Sequence, residues 1–388
     1  MFVGANGVGK SSLLDGVTIL LSRFAGRIRS LRSNGRTLSN LDIRIGGSQA
    51  KIELQASVLG SELRWYVVRG GQRKGQRING LTDLREFVRT IHERLEERAD
   101  FSLPLMVHYP VNRAVLDIPL RIRKKHSFEQ SAAYDNALTG AANNFRVFFE
   151  WFRGREDIEN ERWRREPGYT DRELQAVRQA IGSLMSGYSD FRVQRNPLRM
   201  TLSKKGQELR VDHLSDGEKG LLTMVGDIAR RLAIANPGSG DPLAGTGVVL
   251  IDEVDLHLHP AWQRTLIPRI EKTFPNLQFL VTTHSPAVLG HVAGDNVVVL
   301  QPGDKGTVKA TRLSTYGKDA NRILEDVLDT PARPDDAREA YDKIYEMITE
   351  NELDGAEAAL TRLATEIKGD PETTRARALI RRKRWVGR

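Results

Sequence analysis

The residues best suited to chemistry stand in the first dozen positions. Gly4, then four residues, then Gly9, Lys10 and Ser11 give the spacing of a phosphate-binding loop. Glycine permits backbone conformations that a Cβ forbids, so N–H groups can approach phosphate oxygens. The Lys10 ammonium would reach the β- and γ-phosphates, and the Ser11 hydroxyl would ligate Mg²⁺. The expected nucleotide-binding residues are Gly4, Asn6, Gly7, Gly9, Lys10, Ser11 and Ser12.

Such a loop requires a strand before it and a helix after it. Apolar residues at helical spacing predict the helix, with its positive end toward the nucleotide: Leu13, Leu14, Val17, Leu20 and Leu21. Only Phe2 and Val3 remain for the strand, although central strands usually have about five to six residues. We therefore expect an in-frame upstream start, and poor solubility of the chain as given, because an incomplete central sheet exposes its neighbours.

Two carboxylates and a histidine follow predicted buried strands. Residues 247–253 form an apolar run that ends in Asp252 and Glu253. Asp252 is predicted to hold Mg²⁺, and Glu253 to polarise an attacking water. Residues 277–283 predict a neighbouring parallel strand, followed by His284. A histidine at this edge can contact a γ-phosphate, although a single histidine is more often structural.

A third anion-binding segment begins a helix predicted over residues 219–235. Ser215 and Gly217 would offer a hydroxyl, backbone N–H groups and the helix dipole to an anion. The same residues also make an ordinary helix N-cap, so their significance comes from the order of the motifs. The candidate binding residues here are Leu214, Ser215, Gly217 and Glu218.

Together, these motifs resemble those of the ABC-type ATPases, in the soluble branch alongside SMC, RecF and OLD-type ATPases. The resemblance implies ATP with Mg²⁺, and residues 4–11 as the Walker A loop. Residues 214–218 would be the signature motif, LSDGE here and LSGGQ in transporters, and residues 250–253 Walker B. His284 would be the switch histidine. The catalytic residues would be Lys10, Glu253 and His284.

Two further segments bear on this resemblance. Residues 256–259, Leu-His-Leu-His, fall at the position of the D-loop, in a form typical of the soluble branch and not of transporters. Asn112 is the best-placed candidate for the Q-loop, where the family has a glutamine.

The resemblance implies an α/β P-loop NTPase of ABC-ATPase type whose lobes are split in sequence. Residues 1–110 would form one part of the ATPase lobe, and residues 247–315 the other. Residues 111–246 would form a helical signature lobe, and residues 316–388 a small C-terminal helical domain. Because the signature of one subunit completes the site of another in this family, we expect a head-to-tail dimer, or a higher oligomer.

Periodicity places the other elements. Alternation predicts antiparallel strands at 43–45, 51–58 and 62–68, and a buried strand lies at 103–111. Residues 23–36 are rich in Gly, Ser and Arg and predict an exposed loop. Helical patterns cover 84–95, 128–191 and several C-terminal segments, with a hairpin at 191–202. Aromatic residues of the middle helical region are predicted to be core: Phe145, Phe148, Phe149, Trp151 and Phe152.

A narrower resemblance covers residues 109–128, 134–137 and 314–327. These stretches are similar to bacterial ATPases known as virulence-associated, and to the ATPase of the Septu anti-phage system, including its retron-associated form. The resemblance implies antiviral defence together with a separately encoded HNH-type nuclease. Two alternatives stay open: a DNA-repair ATPase of the SMC or RecF kind, and an ATP-gated scaffold with little turnover.

Composition adds weaker expectations. The formal charge is +9 among 388 residues, which favours polyanionic partners. The basic segments 23–36, 121–125 and 381–384 could therefore contact nucleic acid, and the alternative is that they form an ordinary solvated surface. Cysteine is absent and no run of about 18 apolar residues occurs, so we expect a cytoplasmic protein without a membrane partner. The C-terminal pattern lacks the metal-binding carboxylates of OLD-type nucleases, so we expect no DNA cleavage by this chain.

Overall fold

The computed structural model describes residues 1–71, 79–98, 100–111, 129–139 and 145–386. It divides into two compact units, Met1–Lys318 and Asp319–Arg388. The strands are β1 (Phe2–Val3), β2 (Gln49–Val58), β3 (Ser61–Gly70), β4 (Asn79–Gly80), β5 (Leu105–Tyr109), β6 (Tyr188–Arg195), β7 (Leu198–Lys204), β8 (Gln207–Arg210), β9 (Gly247–Ile251), β10 (Leu277–Val281), β11 (Val297–Pro302) and β12 (Val308–Leu313). The helices are α1 (Lys10–Arg29), α2 (Thr82–Glu97), α3 (Phe145–Arg165), α4 (Arg172–Leu184), α5 (Asp216–Ala235), α6 (Pro260–Thr273), α7 (Pro286–Leu289), α8 (Ala320–Asp326), α9 (Asp335–Thr349), α10 (Leu353–Glu366) and α11 (Pro371–Val386).

The central sheet of the first unit is mostly parallel. β9 pairs in parallel with β5 on one side and β10 on the other. β1 pairs in parallel with β11, and the bridge between Phe2 and Thr282 places β1 beside the end of β10. The antiparallel β12 completes the order β5-β9-β10-β1-β11-β12. The carboxyl ends of parallel strands share one edge, so the loop after β1 and the carboxylates after β9 lie at the same edge, one strand apart.

An antiparallel layer packs over α1 and α2. β2 and β3 confirm the predicted strands at 51–58 and 62–68, joined by a turn in which Leu59 and Gly60 both have positive φ. Trp65 of β3 is fully buried and donates from Nε1 to Leu20 O at 3.1 Å. The strand predicted at 43–45 is wrong. Ile45 is fully exposed, because a turn at Gly46 leaves this segment too short to pair.

The predicted loop over residues 23–36 is also wrong in its first half, because α1 continues to Arg29. Phe24 and Ile28 extend the apolar face of the helix and are buried. Arg23 donates from Nε to Arg36 O at 2.9 Å, and Arg27 donates from Nη1 to Arg23 O at 3.0 Å. Both arginines are buried with their aliphatic stems in the core, so neither is available to a nucleic-acid phosphate.

The region around α5 shares the apolar core of the first unit. The aromatic residues of α3 are buried, which confirms that they pack against the protein and do not stack on bases. β6, β7 and β8 form an antiparallel sheet just before α5, and they include the predicted hairpin. Nearly every residue of α5 after its first turn is buried.

The second unit holds α8 and three helices that share an apolar core: Tyr341, Ile344, Ile348, Ala356, Leu360, Leu363, Ala376 and Ile380. Basic side chains of α11 form ion pairs with acidic side chains of α10 in this unit. Arg377 pairs with Glu357 at 3.3 Å, and Arg384 with Asp354 at 2.6 Å. Arg381 is exposed. Across the part of the chain that the structure describes, no helix has both the length and the apolar character of a membrane span.

Candidate functional site

The loop between β1 and α1 has a backbone that only glycine adopts readily. Gly4, Gly7 and Gly9 have φ of 148°, 79° and 103°. A Cβ on Gly4 would lie 2.3 Å from the carbonyl oxygen of Leu300, whereas a Cβ on Gly7 or Gly9 would meet no atom within 4 Å. The loop is therefore closely packed on its sheet side and open on the other, which fits the entry of a phosphate chain.

The first turn of α1 adds uncapped backbone donors to this open loop. α1 begins after Gly9, and neither a side-chain cap nor an acidic residue occupies its first turn. Asn6, Ser11 and Ser12 are exposed around it. The free N–H groups and the positive end of the helix dipole therefore suit an anion.

Lys10 lies folded against the same loop. Its ammonium donates to Gly4 O at 2.9 Å and to Ala5 O at 3.0 Å, and its side chain is buried. Burial lowers the pKa of Lys10, while the nearby carboxylates of Asp252 and Glu253 act to raise it. The structure thus brings the predicted lysine and both predicted carboxylates to one edge of the sheet.

Thr282 organises those two carboxylates, and sequence reasoning missed its role. Its hydroxyl donates to the Asp252 carboxylate and accepts from Glu253 N at 2.8 Å. Glu253 has a φ of 48°, a left-handed conformation that is strained for a residue with a side chain. Asp252 is buried and donates from its backbone N to Tyr109 O at 2.9 Å. The only sequence signal was a hydroxyl residue directly after an apolar strand.

His284 follows Thr282 and is half-buried at the same sheet edge. The backbone around it is anchored on both sides. Thr283 donates to the carboxylate of Asp255 and accepts from Ser285 N at 3.0 Å. Ser285 Oγ donates to Gln263 Oε1 at 2.7 Å and caps α7. These contacts fix the residues on either side of His284.

The signature segment forms a capping box. Ser215 Oγ accepts from Glu218 N at 3.4 Å, and a Glu218 carboxylate oxygen accepts from Ser215 N at 2.9 Å. Tyr188 and Lys204 also donate to Glu218, Lys204 at 3.2 Å. Burial alone raises the pKa of Glu218, but the bonds from Tyr188 and Ser215 outweigh it and lower that pKa to about 2. Glu218 therefore fixes the backbone at Ser215. The preceding residue, Leu214, is buried.

The signature segment lies against the predicted D-loop of its own chain. A Cβ on Gly217 would be 2.2 Å from the carbonyl oxygen of His257, which has a φ of 59°. His257 and His259 are exposed, and His259 caps α6 by accepting from Ala261 N at 3.2 Å. Among the described residues, no hydrogen bond or ion pair joins the signature segment to the phosphate loop. Asn112, the Q-loop candidate, lies outside the described residues.

Comparison with known proteins agrees with this geometry. Residues 1–290 match the family model described as an AAA domain, putative AbiEii toxin, Type IV TA system. The retron Ec83 probable ATPase of Escherichia coli is 31% identical over 398 residues, covering 86% of this chain and 72% of that protein. The Septu protein PtuA of Bacillus mycoides is 36% identical over 93 residues, covering 24% of this chain and 13% of that protein.

Among solved structures, the SmcHead bound to the C-winged helix domain of ScpA is 16% identical, with a TM-score of 0.41. That match covers 81% of this chain and 90% of the Smc chain. The family match spans the phosphate loop, the signature segment and the carboxylate edge, and it confirms the predicted α/β P-loop fold, to which the structure adds a helical C-terminal unit. The chain belongs to this AAA family, together with the retron ATPases, and is an ATP-hydrolysing P-loop enzyme.

Proposed function

We propose that two copies of this chain bind head to tail, so that the signature segment of each completes the nucleotide site of the other. One observation carries this proposal. The chain has an open phosphate loop before α1 and a capped signature segment at the start of α5, and among the described residues no bond joins residues 214–218 to residues 4–12. A second copy supplies the missing half of the site. Because the contact is reciprocal it closes at two copies, and a higher oligomer would need a further contact.

Within that site, each residue has a distinct role. Mg²⁺, when held by Ser11 and Asp252, would offset the charge of the phosphates. Lys10 would donate to the β- and γ-phosphate oxygens. Glu253 would accept a proton from the attacking water, and His284 would donate to the γ-phosphate. The strained backbone of Glu253, fixed by a hydrogen bond to Thr282, holds that carboxylate at the sheet edge.

Mixing two inactive variants tests the composite site. Lys10→Ala removes the loop cation, and Ser215→Arg places a bulky side chain at the signature. Each variant alone should lack ATPase activity. The mixture should recover about a quarter of wild-type activity, since half of randomly paired dimers are mixed and each holds one intact site. A mixture as inactive as its components, with both variants folded, would exclude a site shared between copies.

We further infer that this ATPase regulates a separately encoded HNH-type nuclease in bacterial antiviral defence, in the cytoplasm. The likeness to a retron ATPase and to a Septu protein supports this role. Nucleic acid remains a proposed ligand of the exposed arginines, such as Arg32 and Arg381. The burial of Arg23 and Arg27 removes two candidates, and residues 121–125 lie outside the described residues.

The partner hypothesis is tested with the chain alone and with its nuclease neighbour. Plasmid DNA, single-stranded DNA and RNA are incubated with Mg²⁺ and ATP. We expect cleavage only by the pair, and a changed rate when the ATPase carries Glu253→Gln. Metal-dependent cleavage by the lone chain, abolished by changes to its own carboxylates, would overturn this assignment.

A further inference from the structure

A buried ionic cluster lies in the middle of α5, and none of its three residues is assigned to the nucleotide. Asp227, Arg230 and Arg231 are all at least nine-tenths buried. Asp227 accepts from Arg231 Nε at 2.7 Å and from Arg230 Nη2 at 2.7 Å. Two cations and one carboxylate thus sit inside the first unit. Buried charges of this kind are weak sources of stability, because desolvation offsets their attraction, so their presence calls for another explanation.

Tyr109, the last residue of β5, connects this cluster to the carboxylate edge. Its hydroxyl donates to Asp227 Oδ2 at 2.8 Å, and its carbonyl oxygen accepts from Asp252 N at 2.9 Å. Burial raises the pKa of Tyr109 well above its usual range, so the hydroxyl stays protonated and remains a donor. One residue therefore contacts both the signature helix, through its hydroxyl, and the backbone N–H of Asp252, the residue assigned to Mg²⁺.

The cluster also extends to the helix that follows the phosphate loop. Arg231 donates from Nη1 to Ala133 O at 2.6 Å and from Nη2 to Asp135 O at 3.0 Å. The Asp135 carboxylate pairs with Arg29, the last residue of α1, at 2.7 Å. A continuous set of bonds thus links α5 with β5, the 3-10 helix near residue 133 and the far end of α1.

We propose that Tyr109 is a positioning residue that couples the place of Asp252 to the place of α5. The inference rests on the proposed function, in which α5 presents Ser215 to the nucleotide of the second copy. When that contact pulls on α5, Asp227 moves, and the Tyr109 hydroxyl transmits the displacement to the β5 backbone that holds Asp252. Engagement of one site would thereby adjust the metal-binding carboxylate of the other site.

A matched pair of substitutions tests the coupling. Tyr109→Phe removes only the hydroxyl and leaves Asp227 with both arginines. Tyr134→Phe is the control, because Tyr134 is also buried and donates its hydroxyl to Pro104 O at 2.7 Å. Each variant loses one buried hydrogen bond from a tyrosine in the same region, so effects on folding should be similar.

Four quantities are compared: the urea midpoint, the affinity for ATP, the turnover at saturating ATP, and hydrogen exchange of α5 amides with and without ATP. Both variants should bind ATP as the wild type does. Tyr109→Phe should lower turnover by about five- to tenfold, whereas Tyr134→Phe should stay within about twofold. The effect of ATP on α5 exchange should be smaller in Tyr109→Phe than in the wild type and in Tyr134→Phe, because the coupling between Asp252 and α5 acts in both directions.

If the wild type is active and the two variants have equal turnover and equal α5 exchange, the coupling is overturned. The proposed dimeric ATPase is not affected by that result. A wild type in which the mixing test fails would instead overturn the composite site itself. If Tyr109→Phe does not fold, hydrogen exchange of the wild type supplies the test, because Asp252 N donates to Tyr109 O. ATP should change the exchange of the α5 amides and of the Asp252 amide together, and a change in one without the other would overturn the inference.

Discussion

Two helices of this protein begin at segments suited to anions, but they begin in opposite ways. α1 starts after Gly9, with no side chain capping its free N–H groups. α5 starts after Ser215, and a reciprocal capping box with Glu218 satisfies its first turn. The start of α1 leaves its donors for a ligand, whereas the start of α5 is complete within its own chain.

In the proposed dimer, this difference would allow a site divided between two copies to remain stable while it is open. The phosphate loop carries its own donors and Lys10, so it can bind a nucleotide before any partner arrives. The start of α5 needs no ligand to be stable, because Glu218, Tyr188 and Lys204 already hold it. In the proposed dimer, Ser215 would then reach the second copy without further ordering.

The largest expected effect is the loss of ATP affinity when the phosphate loop loses the Lys10 ammonium. Lys10→Ala should weaken ATP binding by at least about 100-fold, since a charge-assisted hydrogen bond contributes about 1.5–3 kcal/mol and Lys10 would make more than one. Titration calorimetry measures the affinity. Lys343→Ala, an exposed change on α9, should have no effect. A loss of less than threefold in Lys10→Ala would show that the glycine loop alone accounts for binding.

The next effect separates two glycines of α5. A Cβ on Gly217 would meet His257 O at 2.2 Å, whereas a Cβ on Gly220 meets nothing within 4 Å. Gly217→Ala should therefore lower the free energy of unfolding by about 1–3 kcal/mol through overpacking. Gly220→Ala should raise it by about 0.5–1 kcal/mol through helix propensity. Urea unfolding gives both values, and changes of the same sign would contradict the close contact between α5 and residue 257.

The smallest effect concerns pH and the cap of α5. The pKa of Glu218 is lowered from 4.5 to about 2 in the folded state, so its contribution is complete above the unfolded value and is lost as pH falls toward about 2. Allowing for solvent screening, that contribution is about 1–2 kcal/mol. Glu218→Gln keeps the size of the side chain but removes this component.

Urea unfolding at about pH 6 and about pH 3 measures the difference. Wild type should lose more stability between these conditions than Glu218→Gln does. Glu62→Gln, an exposed change on β3, is the control and should follow wild type. Equal losses of stability in all three proteins would mean that the hydrogen bonds to Glu218 do not lower its pKa in the folded state.

Much of the fold could be predicted because the sequence patterns that indicate it lie within short contiguous segments. The glycine spacing before Lys10, the capping pattern from Ser215 to Glu218 and the apolar strands before Asp252 and His284 each act within a few residues. The failures came where local composition was overridden. The polar residues at 23–36 suggested a loop. Burial of Phe24 and Ile28 instead extends α1 to Arg29, and Arg23 and Arg27 are buried with them.

The sequence by itself determined which residues could bind phosphate, hold a metal ion and accept a proton, since those properties belong to side-chain chemistry and short spacing. Only the tertiary structure decided that Thr282 holds Asp252 and Glu253, and that Tyr109 reaches Asp227, 118 positions away. Such contacts depend on the order of strands in the sheet and on how α5 packs across it. Many strand orders satisfy the same pattern of apolar residues, so that pattern alone does not specify which distant side chains meet.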